Sequence, residues 1–151
     1  MTQQSSDFVD LIRTFNEHQV DYLIVGAHAL AAHGHVRATK DLDVWVRPDP
    51  ENAKRVFTAL AVFGAPLDQV SIDDFSQRGT IFQIGVDPLR IDIITSVSGL
   101  EFADAVSDCV ATHFGGLPTH VLSKRALITN KTASGRKQDL ADLERLTNPE
   151  D

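Results

Sequence analysis

The residues of this chain best placed to do chemistry are two aspartates in the run Arg37-Ala38-Thr39-Lys40-Asp41-Leu42-Asp43-Val44-Trp45-Val46. Basic and hydroxylic residues lead into an apolar stretch that reads as a β-strand, where successive side chains alternate faces. Asp41 and Asp43 therefore project together, while Leu42, Val44 and Val46 line the opposite face. Like charges at that spacing repel, so either one carboxyl keeps its proton or a cation sits between them, and a divalent ion with oxygen ligands is the usual solution. A solvated strand edge carrying two acids is the plain alternative. A third aspartate changes the balance. In Arg90-Ile91-Asp92-Ile93-Ile94 an acid stands among branched aliphatic residues, where an unpaired charge is costly. Arg90, two residues earlier on the same face, offers a structural salt bridge. The other reading sets this strand beside the one bearing Asp41 and Asp43, giving three carboxylates able to hold two divalent ions, which suits transfer of a phosphoryl or nucleotidyl group.

Several elements must position these groups. Phe8, Leu11, Ile12 and Phe15 recur at helical spacing, with Ser5 or Ser6 as the cap. The apolar run Asp21-Tyr22-Leu23-Ile24-Val25 ends at Gly26, which suits a buried strand, a tight turn and a helix from about Ala27 to His33. Glycine there serves the turn, or it lets an anion approach backbone amides at a helix start. His28 and His33 are separated by about 140° on a helix, a poor zinc arrangement, so the histidines read as helix and loop residues. Pro48-Asp49-Pro50 opens a further helix with Ala53, Val56, Phe57 and Leu60 on its buried stripe, closed by Gly64 and Pro66. Residues 66–75 read as an irregular connection with one helical turn. Thr80–Gly85 and Leu89–Ile94 form an antiparallel hairpin around Val86-Asp87-Pro88. Glu101–Val106 is a short helix with Phe102, Ala105 and Val106 on one face; Cys109–Phe114 and Thr119–Leu122 are short strands about Gly115-Gly116; Ser123 caps the next helix. Lys124, Arg125, Lys131, Arg136 and Lys137 make the basic cluster of an acidic chain. Asp139 and Asp142, three apart on the last helix, share a face and are placed to orient those bases by ion pairing.

The chain's 151 residues fit one domain, residues 1–151, and 42% hydrophobic with 23% charged residues is the composition of a globular protein. No apolar run reaches the roughly 18 residues of a membrane span and the polar opening lacks a signal peptide's regions, which favours the cytoplasm and no membrane partner. The single cysteine, Cys109, excludes an internal disulfide and a cysteine-based zinc cluster, and it reads as core. A net charge of −7 argues against broad affinity for nucleic acid. The expected architecture is α/β (α+β): a small, mixed, mainly antiparallel sheet flanked by helices.

An apolar strand, Gly26-Ala27, about a dozen residues, Asp41-Leu42-Asp43 and a later strand aspartate, Asp92, together resemble the DNA polymerase β-type nucleotidyltransferase superfamily. More narrowly, Val25-Gly26-Ala27 with Arg37-x-Thr39-x-Asp41-x-Asp43 and Asn130-Lys131-x-x-x-Gly135-Arg136-x-x-Asp139-x-x-Asp142 is similar to small bacterial AbiEii-type toxins and minimal nucleotidyltransferases. The resemblance spans roughly residues 20 to 146, and the ordered combination is more specific than any single motif.

The resemblance implies a nucleotidyltransferase fold in which Asp41 and Asp43 bind two magnesium ions, or manganese, and Asp92 completes the site and helps activate an acceptor hydroxyl. It implies that Gly26 cradles the triphosphate of a nucleoside triphosphate. Ala27 stands where the family keeps Gly or Ser, leaving backbone amides for that role. Arg37 and Thr39 would lie near the phosphates, and Lys131 and Arg136 near the nucleotide or acceptor. The acceptor implied is a protein or transfer RNA hydroxyl, with a cognate toxin or antitoxin as partner in a toxin-antitoxin or phage-defence system. A competing class is a non-catalytic module of the same fold that binds nucleotide or a partner without turnover; Ala27 supports it and the intact acids oppose it.

Overall fold

Six apolar runs become six strands of one sheet because each is bounded by turn-forming residues and alternates between a core face and a second, partly polar face. The computed structural model describes residues 6–36, 41–85 and 89–147. In chain order the elements are α1 (Ser6–Glu17), β1 (Tyr22–Val25), α2 (Gly26–Ala32), β2 (Asp41–Val46), α3 (Pro50–Phe63), α4 (Ile72–Ser76), β3 (Ile81–Ile84), β4 (Arg90–Ile94), α5 (Phe102–Ser107), β5 (Val110–Phe114), β6 (Leu117–Val121), α6 (Lys124–Ser134) and α7 (Lys137–Thr147). The strand order is β3-β4-β2-β1-β6-β5. Pairs β1–β2, β3–β4 and β5–β6 are antiparallel, whereas β2–β4 and β1–β6 are parallel. The mixed, mainly antiparallel sheet with flanking helices is the architecture expected from the sequence.

Leu42, Val44, Val46, Ile91 and Ile93 are all buried and join the core that includes Phe8, Leu11, Ile12 and Phe15 of α1 and Ala53, Val56, Ala59 and Leu60 of α3. Burying side chains of this size stabilises by about 1.5–3 kcal/mol each, which makes this face the main anchor of β2 and β4. Local signals agree with it. Asp49 caps α3 by accepting a hydrogen bond from the Asn52 backbone N–H at 2.8 Å, Pro50 is the first helical residue, and Gly64 ends the helix with φ 98°. Asn52, fully buried, accepts from the Asp21 backbone N–H at 2.8 Å and donates to the Asp21 and Arg47 carbonyls at 3.0 Å each. It thereby ties the entrance of β1 to the exit of β2.

Differences from the expectations are local. Ser6 is the first described residue of α1, and Ser5, the other cap candidate, lies outside the described residues. Val106 is 37% exposed while Phe102 and Ala105 are buried, so the core stripe of α5 is narrower than its spacing suggested. Cys109 is only partly buried at the core margin. The one helical turn expected within 66–75 is α4, held by a reciprocal capping box between Ser71 and Asp74.

Candidate active site

The parallel pairing of β2 with β4 brings the acids together. Its register sets Asp41 opposite Arg90 and Asp43 opposite Asp92, and partners in register share a face of the sheet. Trp45 continues that face, fully buried, with its ring in edge contact with Phe102 of α5 at a centroid distance of 5.1 Å. Aromatic packing thus closes one end of the face and leaves the acids at the other.

Arg90 lies among the acids. One of its terminal guanidinium nitrogens donates to Asp41 at 2.8 Å and to Asp92 at 3.3 Å, and its Nε donates to Asp92 at 3.1 Å. The salt bridge with Asp92 is therefore present, and the register sets Asp41, Asp43 and Asp92 on one face of the sheet with Arg90 bonded to two of them. Asp43 is held away from Arg90's hydrogen bonds. Burial, then the negative charge of Asp92 and a hydrogen bond with it, then Asp41, push the Asp43 carboxyl up to about 7, with Arg90 pulling the other way. The Asp43 carboxyl thus keeps its proton more readily than a solvated aspartate does. Asp92 first, with Asp41 and Asp43 behind it, raises the pKa of the Arg90 guanidinium further.

Gly26 completes this corner. Val25 pairs with Asp43 across β1–β2, so the next residue starts α2 directly against that carboxylate. Gly26 has φ 69°, and a Cβ there would collide with Asp43 Oδ2. Two constraints therefore require glycine at one position: left-handed backbone and close approach of an acid. Gly64 shares the first only, with φ 98° and nothing within 4 Å of a Cβ. Gly64→Ala is expected to cost about 1 kcal/mol and Gly26→Ala about 2–4 kcal/mol, with Asp43 displaced in the second case. Urea denaturation of both variants checks the difference, and equal losses would remove the close approach from the account. Ala27 turns its side chain inward, 8% exposed, and the α2 N-cap, Val25, offers no side-chain capping bond.

The late motif forms a second charged cluster. Gly135, with φ 61°, ends α6 and lets α7 fold back beside it. Lys131 is 5% exposed and its ammonium lies 3.3 Å from Asp139 and 3.1 Å from Asp142. Asp139 also accepts from Arg136 Nε at 2.7 Å, from Ser134 Oγ at 2.7 Å and from the Arg136 backbone N–H at 3.2 Å. Burial alone would raise the Asp139 carboxyl, but the bonds from Arg136, Ser134 and Lys131 hold it well below the usual carboxylate range. Of the basic cluster, Lys131 and Arg136 are the residues these acids orient by ion pairing, whereas Arg125 pairs with Asp108.

Lys131 and Arg136 are placed differently. Lys131 is enclosed and directed to Asp139 and Asp142, and it makes no observed bond to the Asp41-Asp43-Asp92 group. Arg136 has a side chain 76% exposed and is bonded to Asp139. The loop after β4 is seated on α6 through Asn130 Nδ2 donating to the Ser98 carbonyl at 3.0 Å, and a Cβ on Gly99 would press on Ala133 at 2.7 Å. Arg37 and Thr39 fall outside the described residues. The role of Arg90 toward Asp41 was not read from the sequence; the signal was the strand register, since placing β4 beside β2 sets Arg90 opposite Asp41. The histidines do other work: His33 Nε2 hydrogen-bonds the Leu122 carbonyl at 2.7 Å, and His28 sits edge-on between Phe8 and Phe114.

Among the described residues no three His, Cys, Asp or Glu side chains already converge as a cation site. The donor set nevertheless suits a hard divalent ion. It consists of carboxylate oxygens on adjacent strands, and the proton that burial and the facing Asp92 keep on Asp43 is one that a divalent cation would displace. Recruiting Asp41 as well requires Arg90 to release it.

No protein-family model and no curated protein sequence matches this chain. Solved structures do. The antibiotic-resistance factor ANT(2'')-Ia aligns with a TM-score of 0.63 at 15% identity, over 93% of this chain and 80% of that one. The lincosamide antibiotic adenylyltransferase LnuA, bound to lincomycin, aligns with a TM-score of 0.59 at 14% identity, over 98% and 99% of the two chains. TM1012, a candidate nucleotidyltransferase of Thermotoga maritima, gives 0.59 at 14% identity over 95% and 92%. At such identities the likeness concerns architecture, and the acids argue for themselves. The chain has the nucleotidyltransferase fold.

Proposed function

We propose that this protein is a metal-dependent nucleotidyltransferase that moves a nucleoside monophosphate from a nucleoside triphosphate to an acceptor hydroxyl. The observation that carries the reading is the facing of Asp43 and Asp92 across β2 and β4, with Asp41 on the same face. A buried carboxyl pushed up to about 7 beside a facing acid, as Asp43 is, is unfavourable for stability alone. It makes sense as a site built for added positive charge.

In the reaction, the acceptor oxygen bonds to the α-phosphorus, the bond to the bridging oxygen breaks, and pyrophosphate leaves. Asp41, Asp43 and Asp92 would hold magnesium, which when bound would neutralise charge at the phosphates and lower the acceptor's pKa. Asp92 receives the hydroxyl proton on its carboxylate. The missing Cβ of Gly26 makes room for Asp43, the backbone amides of Gly26 and Ala27 serve the phosphates beside it, and Arg136, fixed by Asp139, presents its exposed guanidinium to the nucleotide. Lys131 acts beneath them by locking α6 to α7. The chain's part is placement and fixed charge.

For the acceptor, we favour a protein hydroxyl over transfer RNA. The net charge is −7, and enclosure of Lys131 removes one base from the exposed cluster. That choice suits an AbiEii-type toxin acting in the cytoplasm with a cognate antitoxin protein. LnuA is seen with lincomycin and ANT(2'')-Ia with adenylyl-2''-tobramycin, so a small polyhydroxylated acceptor is the second reading. Among the described residues no helix is long and apolar enough to cross a membrane.

Calorimetric titration of each nucleoside triphosphate, with and without magnesium, into wild type and Asp41→Ala/Asp43→Ala tests the reading. Magnesium-dependent binding by wild type alone supports it and identifies the base. Binding without pyrophosphate release over a panel of proteins, transfer RNAs and aminoglycosides would instead favour the non-catalytic module that Ala27 suggests.

A further inference from the structure

We propose that Arg90 is a built-in counter-ion that competes with divalent cations for the acid cluster and must release Asp41 before that carboxylate can join a cation site. The inference rests on the metal-binding reading above and adds a regulatory residue to the same site. One guanidinium makes three hydrogen bonds to two of the three acids, at 2.8 Å to Asp41 and at 3.1 and 3.3 Å to Asp92. Its position is a consequence of strand register, because Arg90 is the β4 residue opposite Asp41. A cation centred on these carboxylates would stand next to the guanidinium, and two positive charges within a few ångströms repel strongly unless one moves.

The two arms of the fork are unequal. The side chains of Arg90 and Asp41 are 35% and 33% exposed, whereas that of Asp92 is 13% exposed. An ion pair open to water is worth little, so the Asp41 arm is the one that opens at low cost, while the bond to Asp92 is better shielded and persists. Arg90 can therefore pivot about Asp92. In the closed position it offsets the charge of Asp41 and of Asp92; in the open position it withdraws from Asp41 and carries its charge toward solvent, where phosphate oxygens would arrive. Free cation at low concentration is excluded by this arrangement, and cation delivered together with an anionic triphosphate is admitted.

The test uses the whole chain and manganese alone, with no nucleotide, reading free Mn²⁺ by electron paramagnetic resonance. Arg90→Gln is expected to bind Mn²⁺ about tenfold more tightly than wild type, since a neighbouring positive charge has been removed. Arg90→Lys, which keeps the charge, should stay close to wild type. Wild-type binding with no gain in Arg90→Gln overturns the counter-ion role and leaves the metal site standing; absence of binding in both overturns the metal reading and this inference with it. A measurement on wild type covers the case in which the variants do not fold: the ¹⁵N NMR signal of the Arg90 Nε–Hε group should shift as magnesium is added. An unmoved signal at saturating, bound magnesium also sinks the proposal.

Discussion

Asp43→Asn is expected to reduce nucleotidyl transfer by at least about a thousandfold while making the metal-free protein more stable at pH 8 than wild type. The activity loss follows from position. Asp43 faces Asp92 across the β2–β4 pairing and lies against Gly26, the corner to which the proposed function assigns the phosphates and the acceptor. An amide there donates a hydrogen bond where a cation ligand is needed, and it carries no charge.

The stability gain has the opposite origin. Burial and the Asp92 charge push the Asp43 carboxyl up from 3.8 to about 7 in the folded chain. A folded-state pKa above the unfolded value means that the folded chain binds the proton more tightly. Raising the pH from about 4 to about 7 therefore weakens the fold, and above about 7 the penalty is complete. Wild type and Asp43→Asn should melt alike near pH 4, and at pH 8 the variant should lead by an amount on the order of a few kcal/mol. Thermal melts at the two pH values, in chelator, provide the comparison. Adding magnesium should raise the wild-type melting temperature and leave that of the variant unchanged, because only a ligand of the folded state stabilises it. A variant that is no more stable than wild type at pH 8 would show that the acid pair is not strained, and the main physical argument for a cation site would go with it.

The acids were legible because strand alternation and the cost of a buried charge are local rules. Asp41 and Asp43 share a face whatever the fold, and Asp92 among aliphatics demands a partner. What the residues alone left open was which partner, and the structure supplies two at once, because a parallel register is a long-range property fixed by packing of the whole sheet. The bridge from Arg90 to Asp41 depends on that register and was out of reach. Gly26 was readable as a turn glycine from the apolar run before it, but its contact with Asp43 arises from the β1–β2 pairing, between residues far apart in sequence. Lys131 was legible as a base and as an ion-pair partner, while its burial was not. A lysine in a basic cluster reads as solvated, and only the return of α7 beside α6 encloses it. Arg37 and Thr39 remain readings of the sequence.

That burial sets up the other large effect. Lys131→Met is expected to destabilise the fold by about 3–5 kcal/mol at pH 7, since it leaves Asp139 and Asp142 in the interior without their shared cation. Asp139 keeps Arg136 and Ser134, whereas Asp142 loses the ammonium 3.1 Å from its Oδ2. Its Oδ1 accepts from Gln138 at 3.0 Å, a bond that an asparagine side-chain oxygen can also accept. Lys131→Met/Asp142→Asn should therefore recover most of the loss, and a double-mutant cycle in urea measures the coupling. The double variant also separates two roles for Lys131. If the lysine acts by locking α6 to α7 and so fixing Asp139 and Arg136, the refolded double variant binds magnesium nucleotide with nearly wild-type affinity, and Arg136→Gln is the substitution that weakens it. If the ammonium turns outward to a phosphate in the complex, the double variant is as stable as wild type and yet binds poorly. The enclosure of Lys131, with two carboxylates at hydrogen-bonding distance, favours the first outcome.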